Sequence, residues 1–199
     1  MKSKIKWLIA LIILVLLAGL YSVVDKKTPI YDTEIDNSEY FSVDLREGDR
    51  ISQSFLAPED TLDGVMIKMA AVGNLEGTIL EYNLFESGGE TVLEGETSLG
   101  ELTSGRFFQI DFDQLTGCEN QTYELQILVK ECDENSSITL YYTGGKQQNT
   151  ECMIGDTAVD GTLVLRTFTH RFDLETFVVT VCFLIYVILF MRWLSKLFK

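Results

Sequence analysis

Two uninterrupted apolar segments enclose a long region in which apolar and polar residues alternate. The first segment runs from Trp7 to Val24 without a charged residue, and the second runs from Thr176 to Met191. A helix needs about 20 apolar residues to cross a bilayer, with a lower limit near 17. The pattern predicts transmembrane helices over 7–24 and 174–194, the second with Arg192 reaching toward the lipid headgroups.

Each apolar segment has an alternative interpretation. Lys2, Lys4 and Lys6 in front of a leucine-rich run are also typical of a cleaved secretory signal. The exit of that run, AGLYS over 18–22, lacks small residues at alternate positions, which favours an uncleaved signal anchor. A soluble core helix is the alternative for the second segment, but few core helices are apolar on every face. We therefore predict two membrane spans.

Between these segments, short runs with a period of two recur between turn residues. Tyr123, Leu125, Ile127 and Val129, for example, form one apolar face. The predicted strands cover 40–45, 50–56, 64–71, 77–85, 91–99, 107–112, 122–129, 137–143, 150–154 and 162–172. Many short strands at regular spacing predict a mainly β fold, an antiparallel jelly-roll β-sandwich ectodomain flanked by two transmembrane α-helices. The sandwich is expected over 38–172, after a linker at 25–37.

The charges are sorted along the chain. All 30 Asp and Glu lie between Asp25 and Glu175, together with 10 Lys and Arg, so this stretch has a net charge of −20. The other six basic residues lie at the two ends, within and beside short tails at 1–6 and 195–199. Basic residues accumulate on the cytoplasmic side, which predicts a two-pass protein of the cell membrane with both termini inside and 25–175 outside. A chain this acidic is not expected to bind nucleic acid.

The run QSFLAPEDTLDGVMIKMA over 53–70, followed by GTILEYNLFE and TYELQILV, resembles bacterial extracytoplasmic jelly-roll domains. These domains are of the galactose-binding-like, carbohydrate-binding-module type. The resemblance is strongest to noncatalytic sandwich domains attached to membrane proteins of surface-polysaccharide assembly. It covers about 38–170 and depends on a strand, an Ala-Pro turn and a strand opening with Leu-x-Gly. The resemblance implies glycan binding and identifies no ligand residue.

Catalytic and metal chemistry have little support in the sequence. His170 is the single histidine, close to the second apolar segment, and no GxSxG, Walker or CxxC motif is present. We expect no catalytic residue and no cofactor, except that acidic loops could hold a structural calcium ion. The acidic groups are 32–36, Glu59 and Asp60 with Asp63, and Asp156 with Asp160. None has EF-hand spacing, and solvated loops are the alternative.

Four cysteines leave their pairing open. Cys182 lies in the second apolar segment, whereas Cys118, Cys132 and Cys152 lie between the segments and cannot all pair within one chain. Cys118 and Cys132 flank the strand at 122–129, which spans roughly 25 Å, so they are expected to lie too far apart. Cys152 is predicted on the return strand of a hairpin and could pair with either of them. We favour the pairing Cys132–Cys152, with free thiols as the alternative.

Aromatic residues provide candidates for ligand contact. Tyr40, Tyr82, Tyr141 and Phe107 could stack on sugar rings, with core packing as the alternative for each. The favoured function is a noncatalytic, membrane-anchored binding or scaffold module for cell-surface glycan or for a membrane protein of polysaccharide assembly. One alternative is an accessory subunit whose helices dock laterally on a larger membrane enzyme or transporter. A glycan-cleaving enzyme is the second alternative.

Overall fold

The computed structural model of the chain describes residues 2–146 and 150–198. The chain divides into a helical unit, residues 1–26 and 170–199, and a β unit, residues 27–169. The helical unit contains α1 (Lys2–Tyr21) and α2 (Leu174–Leu197). Lys199 and the side chains of Lys2, Lys4 and Lys6, which support the predicted orientation, lie outside the described part.

The helix α2 is long and apolar enough to cross a membrane. It has a mean hydropathy of 2.4 over 18 residues, and none of its residues is buried. Asp173 caps its first turn and accepts hydrogen bonds from the Thr176 hydroxyl at 2.6 Å and the Glu175 amide at 3.2 Å, and these bonds lower the pKa of Asp173. In α1 the described apolar stretch, Ile12–Tyr21, is shorter than a span. One candidate span is therefore present among the described residues.

Thirteen strands in the described part of the chain form two antiparallel sheets. In chain order they are β1 (Val23–Pro29), β2 (Phe41–Leu45), β3 (Arg50–Leu56), β4 (Thr61–Val72), β5 (Ile79–Glu86), β6 (Thr91–Ser98), β7 (Arg106–Thr116), β8 (Thr122–Glu131), β9 (Ser137–Gly144), β10 (Cys152–Ile154), β11 (Thr157–Val159), β12 (Gly161–Leu163) and β13 (Leu165–Phe172). One sheet has six strands in the order β11-β10-β3-β8-β5-β6. The other has seven, in the order β1-β13-β4-β9-β12, with β7 also paired to β4 and β2 paired to β9.

Alternate positions of the strands fill one core between the two sheets. In β8, Tyr123, Leu125, Ile127 and Val129 are buried, and the residues between them point outward. The buried positions of β4 contribute from the other sheet, for example Val65. Because successive side chains in a strand point to opposite faces, this alternation fixes which face of each sheet is inside.

A buried amide joins the two sheets. The side chain of Gln53 on β3 is fully buried, and its Oε1 accepts a hydrogen bond of 2.7 Å from the amide of Leu163 on β12. Its Nε2 donates to the carbonyl of Ser54 at 2.8 Å and to that of Glu151 at 3.3 Å. Buried polar groups are costly unless they are hydrogen-bonded, so this network fixes the local register between the sheets.

The middle of the seven-stranded sheet is branched. The first half of β4 pairs with β13 and its second half pairs with β9. The branch lies at Val164, whose amide donates to Tyr141 at 2.8 Å while its carbonyl accepts from the amide of Lys68 at 3.0 Å. The chain therefore leaves β9 at this residue and continues along β4 as β13.

The predicted mainly β, antiparallel middle of the chain is confirmed, with strand ends that differ from the prediction by up to four residues. Larger differences concern three segments. Residues 23–29 form β1, although 23–24 were predicted to end the first transmembrane helix and 25–37 to be a linker; β1 has no buried face, so it carries no apolar alternation. The short strand Thr157–Val159 was not predicted. The predicted strand 162–172 is two strands, because the pairing partner changes at Val164.

Candidate functional site

Three of the four predicted aromatic residues come together on the outer face of the seven-stranded sheet. The ammonium of Lys68 lies 5.0 Å from the centre of the Tyr40 ring and 5.6 Å from that of Tyr141. The guanidinium carbon of Arg166 lies 4.0 Å from the centre of the Phe107 ring. These distances are typical of cation–π contacts.

Strand register explains this convergence. Lys68 on β4 is paired with Phe107 on β7, and Met66, two residues earlier on the same face, is paired with Arg166 on β13. Diagonal neighbours on one face of a sheet are within reach of long side chains. Arg166 can therefore extend over Phe107 although their strands lie on opposite sides of β4.

The segment 31–40 packs against the same face. Tyr31 is buried, and its hydroxyl accepts a hydrogen bond of 3.2 Å from Nη2 of Arg166. The Tyr31 and Tyr40 rings meet edge to face with centroids 6.2 Å apart, and burial raises the pKa of Tyr40. Lys68 donates to the side-chain oxygen of Asn37 at 3.3 Å. We call the six residues Tyr31, Tyr40, Lys68, Phe107, Tyr141 and Arg166 the aromatic–cation cluster.

The fourth aromatic residue, Tyr82, is a core residue, so its predicted role in sugar stacking is wrong. It shares the inner face of β5 with Leu80 and Leu84, and only 8% of its surface is exposed. Its ring lies over Gly95 of the neighbouring strand, where a side chain at that position would collide with it. A ring held inside the sandwich has no face available to a surface ligand.

The predicted pairing of Cys132 with Cys152 is also wrong, because β9 and β10 belong to different sheets and do not form a hairpin. Gln53 pairs with Cys152 on one side and with Leu125 on the other, so these residues are level in the sheet. Cys132 lies seven residues beyond Leu125, roughly 23 Å along the strand direction. A disulfide needs Cα atoms about 4.4–6.8 Å apart. All four cysteines are free thiols, and burial raises the pKa of Cys152 to about 11.

The acidic groups predicted as calcium ligands are dispersed. Asp36 accepts hydrogen bonds from the amide and hydroxyl of Ser38, and these bonds lower its pKa. Asp156 forms an ion pair with Arg50. The buried carboxylate of Asp63 accepts from the side chains of Gln114 at 2.8 Å and Thr169 at 2.9 Å. Across 2–146 and 150–198, no group of three or more metal-ligating side chains is arranged around one point, and calcium binding stays a prediction.

His170 lies in the helical unit, where its Nδ1 is 2.5 Å from a carboxylate oxygen of Asp25. Both side chains are about half exposed.

The helical unit also contains a cavity of about 600 Å³, whose lining includes Tyr21, Thr176, Thr180 and Phe183.

An open polar groove, which sequence reasoning missed, lies on the outer face of the six-stranded sheet. Its main cavity of about 380 Å³ is lined by outward-pointing residues of β3, β5 and β8 and by the turn after β5. A second cavity of about 350 Å³ continues along the same face and shares Gln126 with the first. We call the lining side chains Ser54, Phe85, Ser87, Glu124 and Gln126 the polar groove.

The groove has hydrogen-bonding groups without partners. In the described part of the chain the side chains of Glu124 and Gln126 make no hydrogen bond, whereas the Ser54 hydroxyl accepts from the amide of Glu151 at 2.6 Å. The half-buried ring of Phe85 adds an apolar wall. The alternation of polar with apolar residues in β3 and β8 indicates an outward polar face, but only the strand pairing places Ser54 opposite Glu124.

The surroundings of the polar groove are acidic. A neighbouring cavity of about 360 Å³ is lined by Glu81, Glu94 and Glu96 with Asn83. Two cations on this face are each paired with a carboxylate: Arg50 with Asp156, and Lys130 with Glu96, and the second pairing raises the pKa of Lys130. The field along this face of the sheet is therefore negative.

Comparisons with known proteins identify no family. No family model matches the chain, and no curated protein matches it. Among solved structures, a clostridial cysteine protease after propeptide cleavage is similar with a TM-score of 0.49 at 10% identity, over 74% of this chain and 40% of that one. The VP2 subviral particle of infectious bursal disease virus is similar with a TM-score of 0.31 at 13% identity, over 73% of this chain and 40% of that one. The chain spans less than half the length of either structure.

Proposed function

We propose that this chain is a membrane-anchored extracytoplasmic module that binds cell-surface glycan noncatalytically through the polar groove. The observation that carries the proposal is the open cavity on the six-stranded sheet, in which an amide and a carboxylate without partners lie beside an aromatic ring. A cavity of this size falls within the range of small-ligand sites, about 300–1,000 Å³. We also propose that the two sheets are arranged as a jelly roll and that the module binds the glycan without cleaving it.

The chemistry of the groove suits a sugar. A sugar hydroxyl both donates and accepts, and the amide of Gln126 and the carboxylate of Glu124 together offer both kinds of partner. The apolar faces of sugar rings pack on aromatic side chains, which is the role we assign to Phe85. Because Glu124 and the neighbouring glutamates make this face negative, we propose a neutral or amino-substituted glycan as the ligand and exclude a polyanionic one.

Removing the proposed contacts should weaken glycan binding. We expect Gln126→Ala and Phe85→Ala each to weaken binding by about tenfold or more, the equivalent of about 1.4 kcal/mol. The measurement is an array of neutral, amino-substituted and acidic glycans probed with the full chain in detergent. Gln109→Ala is the matched control, because Gln109 is exposed on the other sheet. Binding confined to acidic glycans, binding unchanged in both variants, or no binding to any glycan would contradict the proposal.

We also propose that α1 and α2 both cross the membrane, so that the β unit lies outside and both termini lie inside. Support comes from the apolar length of α2 and from the distribution of basic residues along the chain. A compartment-sensitive reporter fused after Lys199 should report the cytoplasm, and the same reporter inserted at Gly145 should report the outside. An outside signal at Lys199 would show that α2 does not span.

A second candidate function is an accessory subunit that docks laterally on a larger membrane protein. It is favoured by the exposure of α2, none of whose residues is buried, and by the cavity that contains Thr176 and Thr180. Hydroxyls and small residues allow close approach of membrane helices. A stoichiometric membrane partner that copurifies with the intact chain in detergent, and is lost in Thr180→Leu, would favour this function over glycan binding.

A further inference from the structure

Two neighbouring cations in the aromatic–cation cluster have no carboxylate partner, although the chain is strongly acidic. Arg50 forms an ion pair with Asp156, and Lys130 forms one with Glu96. In contrast, among the described residues neither Lys68 nor Arg166 has a carboxylate oxygen within 4.0 Å. Like charges held close together on one sheet face destabilise each other.

Arg166 also has a buried donor without an acceptor. Its Nε is shielded from solvent and makes no hydrogen bond, and it is the one such side-chain atom in the described part of the chain. Nη2 bonds the neutral hydroxyl of Tyr31, and the Phe107 ring covers the plane of the guanidinium. A buried donor left unpaired is costly, and more so when it is charged. An unpaired group of this kind calls for an acceptor that the chain itself does not supply.

The groups around these cations are suited to an oxyanion. The guanidinium has five donors in a planar fork that matches the oxygens of a carboxylate or a phosphate. Lys68 adds an ammonium with three donors, one of which is bonded to Asn37. The hydroxyls of Tyr40 and Tyr31 can donate as well. Lys68, Phe107, Tyr141 and Arg166 are half-buried, so the cations lie at the surface of the sheet in a partly desolvated setting, where a charge-assisted hydrogen bond is strong.

We propose that the aromatic–cation cluster is a binding site for an oxyanion, either a carboxylate or a phosphate group of a ligand, held by Arg166 and Lys68. The site lies on the sheet opposite to the polar groove, so it does not depend on the glycan proposal. Its two cations lie on one face of the β unit, and the groove with its neighbouring glutamates lies on the other.

The test follows the Nε–H resonance of Arg166 by NMR in the full chain in detergent. Inorganic phosphate and glucuronate are titrated at low ionic strength, with glucose as the neutral control. We expect a saturable shift of this resonance with at least one of the two anions, none with glucose, and weakening of the affinity by added salt. Tighter binding of glucuronate would indicate a carboxylate ligand, and tighter binding of phosphate would indicate a phosphate ligand.

Variants identify the residues that hold the anion. By calorimetry, Arg166→Gln should abolish binding and Lys68→Gln should weaken it about tenfold or more. Arg166→Lys keeps the charge but loses the planar fork of donors, so it should also weaken anion binding. If the Arg166→Gln chain does not fold, Arg166→Lys replaces it as the test of Arg166. Lys130→Gln, the matched control on the other sheet, and Gln126→Ala in the groove should bind the anion as the parent chain does. Absence of a saturable shift with both anions, or an equal loss in Lys130→Gln, would overturn the proposal.

Discussion

Replacing Gly64 with alanine is expected to destabilise the β unit by about 3 kcal/mol or more. A Cβ atom at this position would overlap the ring of Phe168 and the carbonyl oxygen of Ile110. Both neighbours are buried in the seven-stranded sheet, at 2% exposure each, so neither can move into open space. Gly64 is paired on both sides, with Asp111 of β7 and with Phe168 of β13, which leaves the backbone little freedom to adjust.

Thermal unfolding of the full chain in detergent, followed by the β signal in circular dichroism, measures this effect. Gly100→Ala is the matched control, because a Cβ at Gly100 would meet only the Ser98 hydroxyl at an ordinary contact distance of 3.8 Å. We expect the control to unfold near the parent chain. A Gly64→Ala chain as stable as the control would show that β4 and β13 are not packed as closely as described.

Replacing Ile127 with aspartate is expected to prevent the β unit from folding. Ile127 is 1% exposed on the central strand β8, between its register partners Ile51 and Tyr82. A carboxylate there would have to be charged without a partner or remain protonated at a cost, in addition to losing the apolar contacts. A loss above about 4 kcal/mol is a large part of the total stability of a domain, which is about 5–15 kcal/mol.

Leu128→Asp provides the comparison for this change. Leu128 is the next residue of the same strand, but it points to the outer face and is half-exposed. We expect a folded, soluble chain from Leu128→Asp and an aggregated or protease-sensitive chain from Ile127→Asp. If both variants were equally folded, the assignment of the inner and outer faces of β8 would be wrong.

The strands with one buried face were predictable from the sequence. The prediction for β3 agrees with the structure at both ends, and β8 begins at the predicted residue. Both agree because apolar and polar residues alternate along these strands in step with their buried and outward positions. The strand β1 was missed because its pairing at the edge of the sheet buries neither face. Its backbone hydrogen bonds, which have no counterpart in the residue pattern, determine its structure.

The candidate sites were only partly predictable, because they depend on pairing between strands distant in sequence. Tyr40, Phe107 and Tyr141 lie outside the core, but the approach of Tyr40 and Tyr141 to Lys68 and of Phe107 to Arg166 depends on the order of β7, β13, β4 and β9. Nothing in the sequence distinguishes Tyr82 from these three residues, but its side chain lies on the inner face of β5. The polar groove consists of ordinary outward positions, so no single residue marks it before the strands are paired.

The branch at Val164 has a consequence for the order of folding. Val65 on β4 pairs with Thr167 on β13, so the centre of the seven-stranded sheet is completed by one of the last segments of the β unit to be made. Closing so long a loop is entropically costly and is typical of slow-folding β proteins. Until β13 arrives, part of β4 has an open edge that can pair with another chain. Synthesis from the N-terminus therefore leaves a window during which the growing chain depends on protection from aggregation.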